Sequence, residues 1–132
     1  MRIFKLVALV TVLAVAGLYA RPGRENLQPW YDWYNVRYFG GTLPKSTVTQ
    51  WADLSLQDAM GQTRVEGGRY VIQIDAVTNR ASVTTHESLI HEMCHVWVAE
   101  NIEQPLPDGD HGVAFQDCMM DKAKQGAFHD LW

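Results

Sequence analysis

The chain has 132 residues, enough for one hydrophobic core and not comfortably two. With 47% hydrophobic and 20% charged residues, and no low-complexity tract or internal repeat, its composition excludes a disordered tail. The formal net charge of −4 and the scatter of Lys and Arg argue against a phosphate-tracking surface, so no nucleic-acid partner is expected.

Arg2 and Lys5 precede an uncharged apolar run from Leu6 to Ala20. Its fifteen residues, as a helix rising about 1.5 Å per residue, would reach about 22 Å, short of the roughly 30 Å hydrocarbon core. This favours a cleaved signal peptide, with Ala14-Val15-Ala16 as the small-x-small site. The alternative is a membrane anchor through residues 3–20, in which Ile3 and Phe4 lengthen the apolar stretch and Lys5 snorkels. Residues 1–20 are therefore read as leader and 21–132 as one domain, exported or membrane-anchored. Cleavage after residue 16 would remove two of the 11 basic residues, leaving 9 against 15 acidic ones and a net of −6.

Pro29 suits the first turn of a helix in which Trp30, Tyr31, Tyr34 and Tyr38 form an aromatic packing face, with Gly40-Gly41 as the stop. From Ser46 the pattern changes to period two, which predicts a strand through Trp51. Residues 59–74 predict a β-hairpin, with its turn at Glu66-Gly67-Gly68 and its strongest strand at Tyr70–Ile74. Thr84-Thr-His-Glu87 has the form of a capping box, so a long helix is expected from Thr84 or Thr85 through the apolar run ending at Ala99. Asp110 is the candidate cap of a last helix, on which Phe115, Cys118, Met119 and Lys122 share a face. The two cysteines form no CxxC pair, which excludes a zinc ribbon. They are expected as buried small hydrophobes, or as a disulfide if the compartment is oxidising.

The long helix carries Leu89-Ile-His-Glu-Met-Cys-His95. Residues four apart on a helix point the same way, so His91 and His95 can grip one ion, with Glu92 beside them. Zinc held by three protein ligands keeps a fourth position for water and lowers its pKa, and an adjacent carboxylate off the metal can act as general base. Glu92 is the candidate base. The apolar flanks Leu89, Ile90, Met93, Cys94, Val96 and Trp97 place the histidines in the interior, where polar groups need partners.

For the third ligand, Glu103 lies eight residues, about 12 Å, beyond His95 on the same helix and cannot return to the ion. Glu100 and Glu103 are read as solvent-facing. His111 follows a Pro- and Gly-rich reversing loop and is the best candidate. Asp108, Asp110 and Asp117 are reserve ligands, helix caps or partners orienting an imidazole. His86 and His129 lie off the constellation. Val98 and Asn101 stand where HExxHxxGxxH requires Gly and His, so the chain is not a metzincin.

Taken together, several segments resemble the SprT-like family of zinc-dependent metallopeptidases. Tyr34-Asn-Val-Arg-Tyr-Phe-Gly-Gly-Thr-Leu-Pro44 is similar to its first-helix signature, and Val48–Trp51, Met60-Gly61 and Val71–Ile74 to its strand segments. Leu89–His95, His111-Gly112 and Phe115 resemble its metal helix and third-ligand region. The resemblance implies one catalytic Zn2+ on His91, His95 and His111, with Glu92 as general base. It also implies a zincin-like α+β fold comprising an N-terminal helix, a small antiparallel three-stranded sheet, the HExxH helix and a C-terminal helix. The implied substrate is a protein or peptide, lying as an added strand along the sheet edge. Many relatives carry a cysteine-rich zinc module or a DNA-binding extension, which this sequence does not show. Because it also opens with an export-like segment, a DNA-repair role is not carried over. Two other readings keep the metal: a catalytically idle zinc-bound protein-binding module, and an exported zinc hydrolase acting on cell-wall peptide.

Overall fold

The computed structural model describes residues 24–106 and 108–129. The leader, residues 1–20, and its cleavage site lie outside them. Among the described residues, three α-helices and three strands follow in the order α1 (Leu27–Phe39), β1 (Val48–Ala52), β2 (Gly61–Glu66), β3 (Arg69–Asp75), α2 (Ser82–Asn101) and α3 (Val113–Lys124). The class is α+β.

Helix α1 starts two residues before Pro29, because the Asn26 side chain accepts from the Gln28 N–H and caps the helix there. Its aromatic face divides as it packs: Tyr31 and Tyr34 are buried, whereas Trp30 and Tyr38 sit half-buried at its margin. The turn after α1 explains the Phe-Gly-Gly-x-Leu-Pro signature. Gly40 and Gly41 both take left-handed backbone, with φ of 61° and 72°. The chain thereby returns to Asn35, whose buried amide donates to the Leu43 carbonyl and accepts from the Leu43 N–H, each at 3.0 Å. The Tyr31 hydroxyl donates to the Pro44 carbonyl at 2.9 Å, closing the same turn.

The sheet is mixed and not antiparallel, with strand order β1-β3-β2. β2 and β3 form the expected hairpin, joined by Gly67-Gly68 with φ of 57° and 76°, the sign a tight two-residue turn demands. β1 instead runs parallel to β3, from Val48 opposite Val71 to Ala52 opposite Asp75. The link after β1, through a 3-10 turn at Ser55–Gln57, carries the chain past one strand position, so β2 becomes the outer strand and β3 the centre. A central strand is covered on both sides, which is why Val71, Ile72 and Ile74 are all buried. At the end of β3, Asp75 ties the loops together: one carboxylate oxygen accepts from the Leu54 N–H, the other from the Thr78 N–H and hydroxyl.

Helix α2 packs against α1, β2, β3 and α3. It begins at Ser82, ahead of the Thr84–Glu87 capping box, and that box does not form. The Thr84 and Thr85 hydroxyls both donate to the Ala81 carbonyl, as threonines inside a helix do, instead of accepting an N–H at its start. Helix α3 is likewise not capped by Asp110. Asp108 Oδ2 accepts from the Val113 N–H at 2.9 Å, and Gly112 leaves room for it, since a Cβ there would lie 2.4 Å from the Asp108 carboxyl carbon. On the buried face of α3, Phe115, Cys118 and Lys122 face inward. Cys94 and Cys118 are both buried, and they form a disulfide between α2 and α3. Among the described residues no helix is long and apolar enough to cross a membrane.

Candidate metal centre

One face of α2 is sealed into the core by Leu89, Ile90, Met93 and Val96, which fixes the rotation of the helix. His91 and His95 consequently share another face, half-buried at the wall of a cleft instead of in the interior that their apolar neighbours suggest. The loop after Asn101 reverses direction, helped by Gly109 at φ 83° and the Asp108 cap, and delivers His111 just before α3. Gln116 holds this delivery point by donating to the His111 carbonyl at 3.2 Å.

The three imidazoles meet tip to tip. His111 Nε2 lies 3.2 Å from His91 Nε2 and 3.1 Å from His95 Nε2. A neutral ring nitrogen either carries one hydrogen or offers one lone pair, so His111 Nε2 can satisfy only one of these contacts well. Three nitrogens at about 2.0–2.1 Å from a tetrahedral ion would be about 3.3 Å apart, close to the observed spacing. His91, His95 and His111 could thus hold a metal ion, and they are the residues among those described whose ligand atoms cluster for it. Burial, then the neighbouring His111, lowers the His91 pKa. His95 is pushed down to about 4 by burial and by His91 and His111, with Asp110 acting in the opposite direction. Neutral imidazoles with free lone pairs are what a metal requires.

Glu92 points to the sheet side of the cleft and is 4% exposed. Burial raises its carboxyl to about 7, against the Thr63 hydroxyl, which lowers it. A cation at the histidines would draw it down again. The cleft encloses about 400 Å³ between β2, α2 and the loop bearing His111, with Thr63, Tyr70, Glu92 and Leu106 on its walls. Tyr70 is raised to about 12 by burial and by the neighbouring Glu100 carboxylate.

The other acidic candidates have separate places. Asp108 is a helix cap, Asp110 lines the cleft, and Asp117 is exposed on α3. Glu100 and Glu103 are exposed, as expected, but Glu103 lies beyond the end of α2 at Asn101 and not on the helix. His86 is held away from the centre, between the Tyr34 hydroxyl at 2.7 Å and Glu25 at 3.0 Å, while His129 is exposed. One contributor, Thr63, carried no chemical signal in the sequence, whereas Phe115 falls in the third-ligand segment of the family resemblance. Thr63 reaches Glu92 across the sheet–helix boundary, and Phe115 touches all three imidazole rings. Strand alternation marks Thr63 as facing one side of the sheet but cannot say what covers that side.

A family model described as SprT-like family matches residues 27–128, and the segments that build this centre all fall inside that range. No curated protein matches the chain.

Proposed function

The chain belongs to the SprT-like family, and from that premise we propose that it is a zinc-dependent metallopeptidase with a zincin-like fold, hydrolysing peptide bonds in a protein or peptide substrate. The convergence of three imidazole nitrogens beside a buried carboxylate carries this reading. His91, His95 and His111 would hold the ion, whose nitrogen-rich, open-sided ligand set suits zinc. Zinc bound there would supply Lewis-acid activation of a water and of the scissile carbonyl.

Glu92 does the proton work. Its carboxylate accepts the proton given up by the attacking water and returns it to the departing amine nitrogen. The cleft walls from β2 and the His111 loop keep bulk water from the carboxylate, which strengthens its interaction with that proton. An idle protein-binding module would have no use for Glu92, and a structural zinc site is usually closed by a fourth protein ligand.

The Cys94–Cys118 disulfide fits an oxidising compartment and so supports export or membrane anchoring through residues 1–20. Such a location keeps a cell-wall peptide among the substrates to be tried.

Metal analysis and a cleavage assay on the purified chain test the proposal. Zinc should be present at one ion per chain and fall sharply in His111→Ala. Glu92→Gln should retain zinc and lose cleavage of an unstructured protein; unchanged cleavage in that variant would refute the assigned base. Running casein-like protein, cell-wall peptide and DNA-bound protein side by side identifies the substrate class.

A further inference from the structure

A general base with two equivalent oxygens works best when one is fixed and the other faces the proton it must take. Resting on the peptidase reading above, we propose that Gly61 and Thr63 of β2 assign these roles, the Thr63 hydroxyl anchoring Glu92 Oε2 while Gly61 makes the space in which Oε1 stays open to the cleft. Both are positioning residues, acting through Glu92.

The geometry on the Oε2 side is a short hydrogen bond, Thr63 Oγ1 to Glu92 Oε2 at 2.7 Å. The same hydroxyl lies 3.3 Å from the Glu92 backbone carbonyl, so its single hydrogen goes to the nearer, charged acceptor. Among the described residues nothing donates to Oε1. Thr47 Oγ1 is the deeply buried side-chain polar atom there that lacks a partner, and Glu92 Oε1 is not in that condition. Oε1 is therefore in contact with the cleft that Glu92 lines.

Gly61 is two residues before Thr63, and residues two apart on a strand share a face, here the face turned to α2. A Cβ at Gly61 would lie 2.9 Å from Glu92 Oε1, 3.0 Å from its Cγ and 3.2 Å from the Gln73 carbonyl oxygen. The carbonyl belongs to the β2–β3 ladder and cannot retreat, so the glutamate would have to move. Gly61 is not one of the glycines with left-handed backbone. Its lack of a side chain serves space and not conformation. The Met60-Gly61 segment of the family resemblance thereby acquires a reason.

Thr63→Val removes the hydroxyl at nearly constant volume, Thr63→Ser keeps it, and Gly61→Ala introduces the obstructing methyl. Each variant is to be measured for zinc content, for kcat and KM on a peptide substrate, and for the position of the Glu92 side chain by crystallography. Thr63→Val should lower kcat by about 100-fold, as a misplaced reacting group does, with KM and zinc content within about twofold of the parent. Thr63→Ser should recover kcat to within a few fold, and Gly61→Ala should show the carboxylate displaced from Thr63 and a lowered kcat. Full kcat in Thr63→Val, or an unmoved Glu92 carboxylate in Gly61→Ala, overturns the proposal. If the parent chain cleaves no peptide, the peptidase reading fails, and the crystallographic position of Glu92 still decides whether Gly61 and Thr63 place it. Should Thr63→Val fail to fold, Gly61→Ala carries the same decision through that position.

Discussion

Phe115 stacks on His95, with ring centroids 4.4 Å apart and planes inclined by 24°. The same phenyl ring stands at 4.7 Å from His91 and 4.8 Å from His111, edge-on to both. One apolar side chain from α3 thus backs all three candidate ligands and restricts how each imidazole can turn. Phe115→Leu keeps apolar volume at the site and loses the planar surface. Zinc affinity should weaken by about 10-fold, the lower end of what loss of a ligand-orienting neighbour does. Competition with a chromophoric chelator measures it, with circular dichroism to establish that the helices persist.

The disulfide leaves α2 one residue before His95 and enters α3 three residues after Phe115. It closes a loop with a sequence separation of 24, and loss of such a closure costs about 3 kcal/mol by restoring freedom to the unfolded chain. The Cys94→Ser, Cys118→Ser double variant should unfold at markedly lower urea concentration. Because the closed loop contains His111, zinc binding should also weaken, and a titration of the parent and of the double serine variant would show the difference. Equal affinities in the two proteins would separate the crosslink from the metal centre.

Asn35 provides a third test, away from the chemistry. Its amide is the partner of both polar backbone groups of Leu43, and both residues are buried. Asn35→Ala leaves an N–H and a C=O without partners, and each such group costs about 1–3 kcal/mol. Chemical denaturation should therefore register a loss of about 3 kcal/mol. Asn35→Asp recovers the acceptor but sets a buried carboxylate oxygen against the Leu43 carbonyl, so it should not restore the parent's stability.

Acid stability follows from Asp75. Burial pushes its carboxyl up, but hydrogen bonds from the Thr78 hydroxyl and from the N–H groups of Leu54 and Thr78 outweigh burial and hold it below the ordinary 3.8. The unfolded chain therefore binds this proton more readily than the folded one. The stabilisation is complete above about pH 4 and is lost as pH falls through the lower folded value. Urea midpoints should decline below about pH 4 in the parent, and Asp75→Asn should be less stable by about 1–3 kcal/mol at neutral pH with a flatter acid profile. Parallel curves for the two proteins would remove Asp75 as the source.

What could be read without coordinates followed the range of the forces involved. The pairing of His91 with His95 is a property of helix geometry, and the Gly67-Gly68 hairpin is a property of backbone torsion, so both were visible locally. His111 needed only a reversing loop of limited reach. The direction of β1 was different, since the period-two pattern of Thr47 to Trp51 is the same for a parallel and an antiparallel neighbour. Which strand lies beside it depends on the route through residues 53–60. Thr84 misled for a related reason: a threonine three residues before a glutamate suits an N-cap, yet the same hydroxyl can donate backward to a carbonyl once the helix begins earlier. The contact of Thr63 with Glu92 joins positions 29 apart, and nothing local in either segment announces it.

The crosslink between Cys94 and Cys118 has a bearing on which ions the chain can attract. These are its only two cysteines, and one of them is adjacent in sequence to a candidate ligand. As free thiolates they would offer soft sulfur donors that outcompete imidazole for copper(I) and could draw zinc into a misplaced mixed sulfur–nitrogen site during folding. Oxidised to each other, they are withdrawn as thiolate donors. Where an oxidising compartment closes the crosslink before a metal arrives, it would thereby favour nitrogen and oxygen ligation at the three histidines.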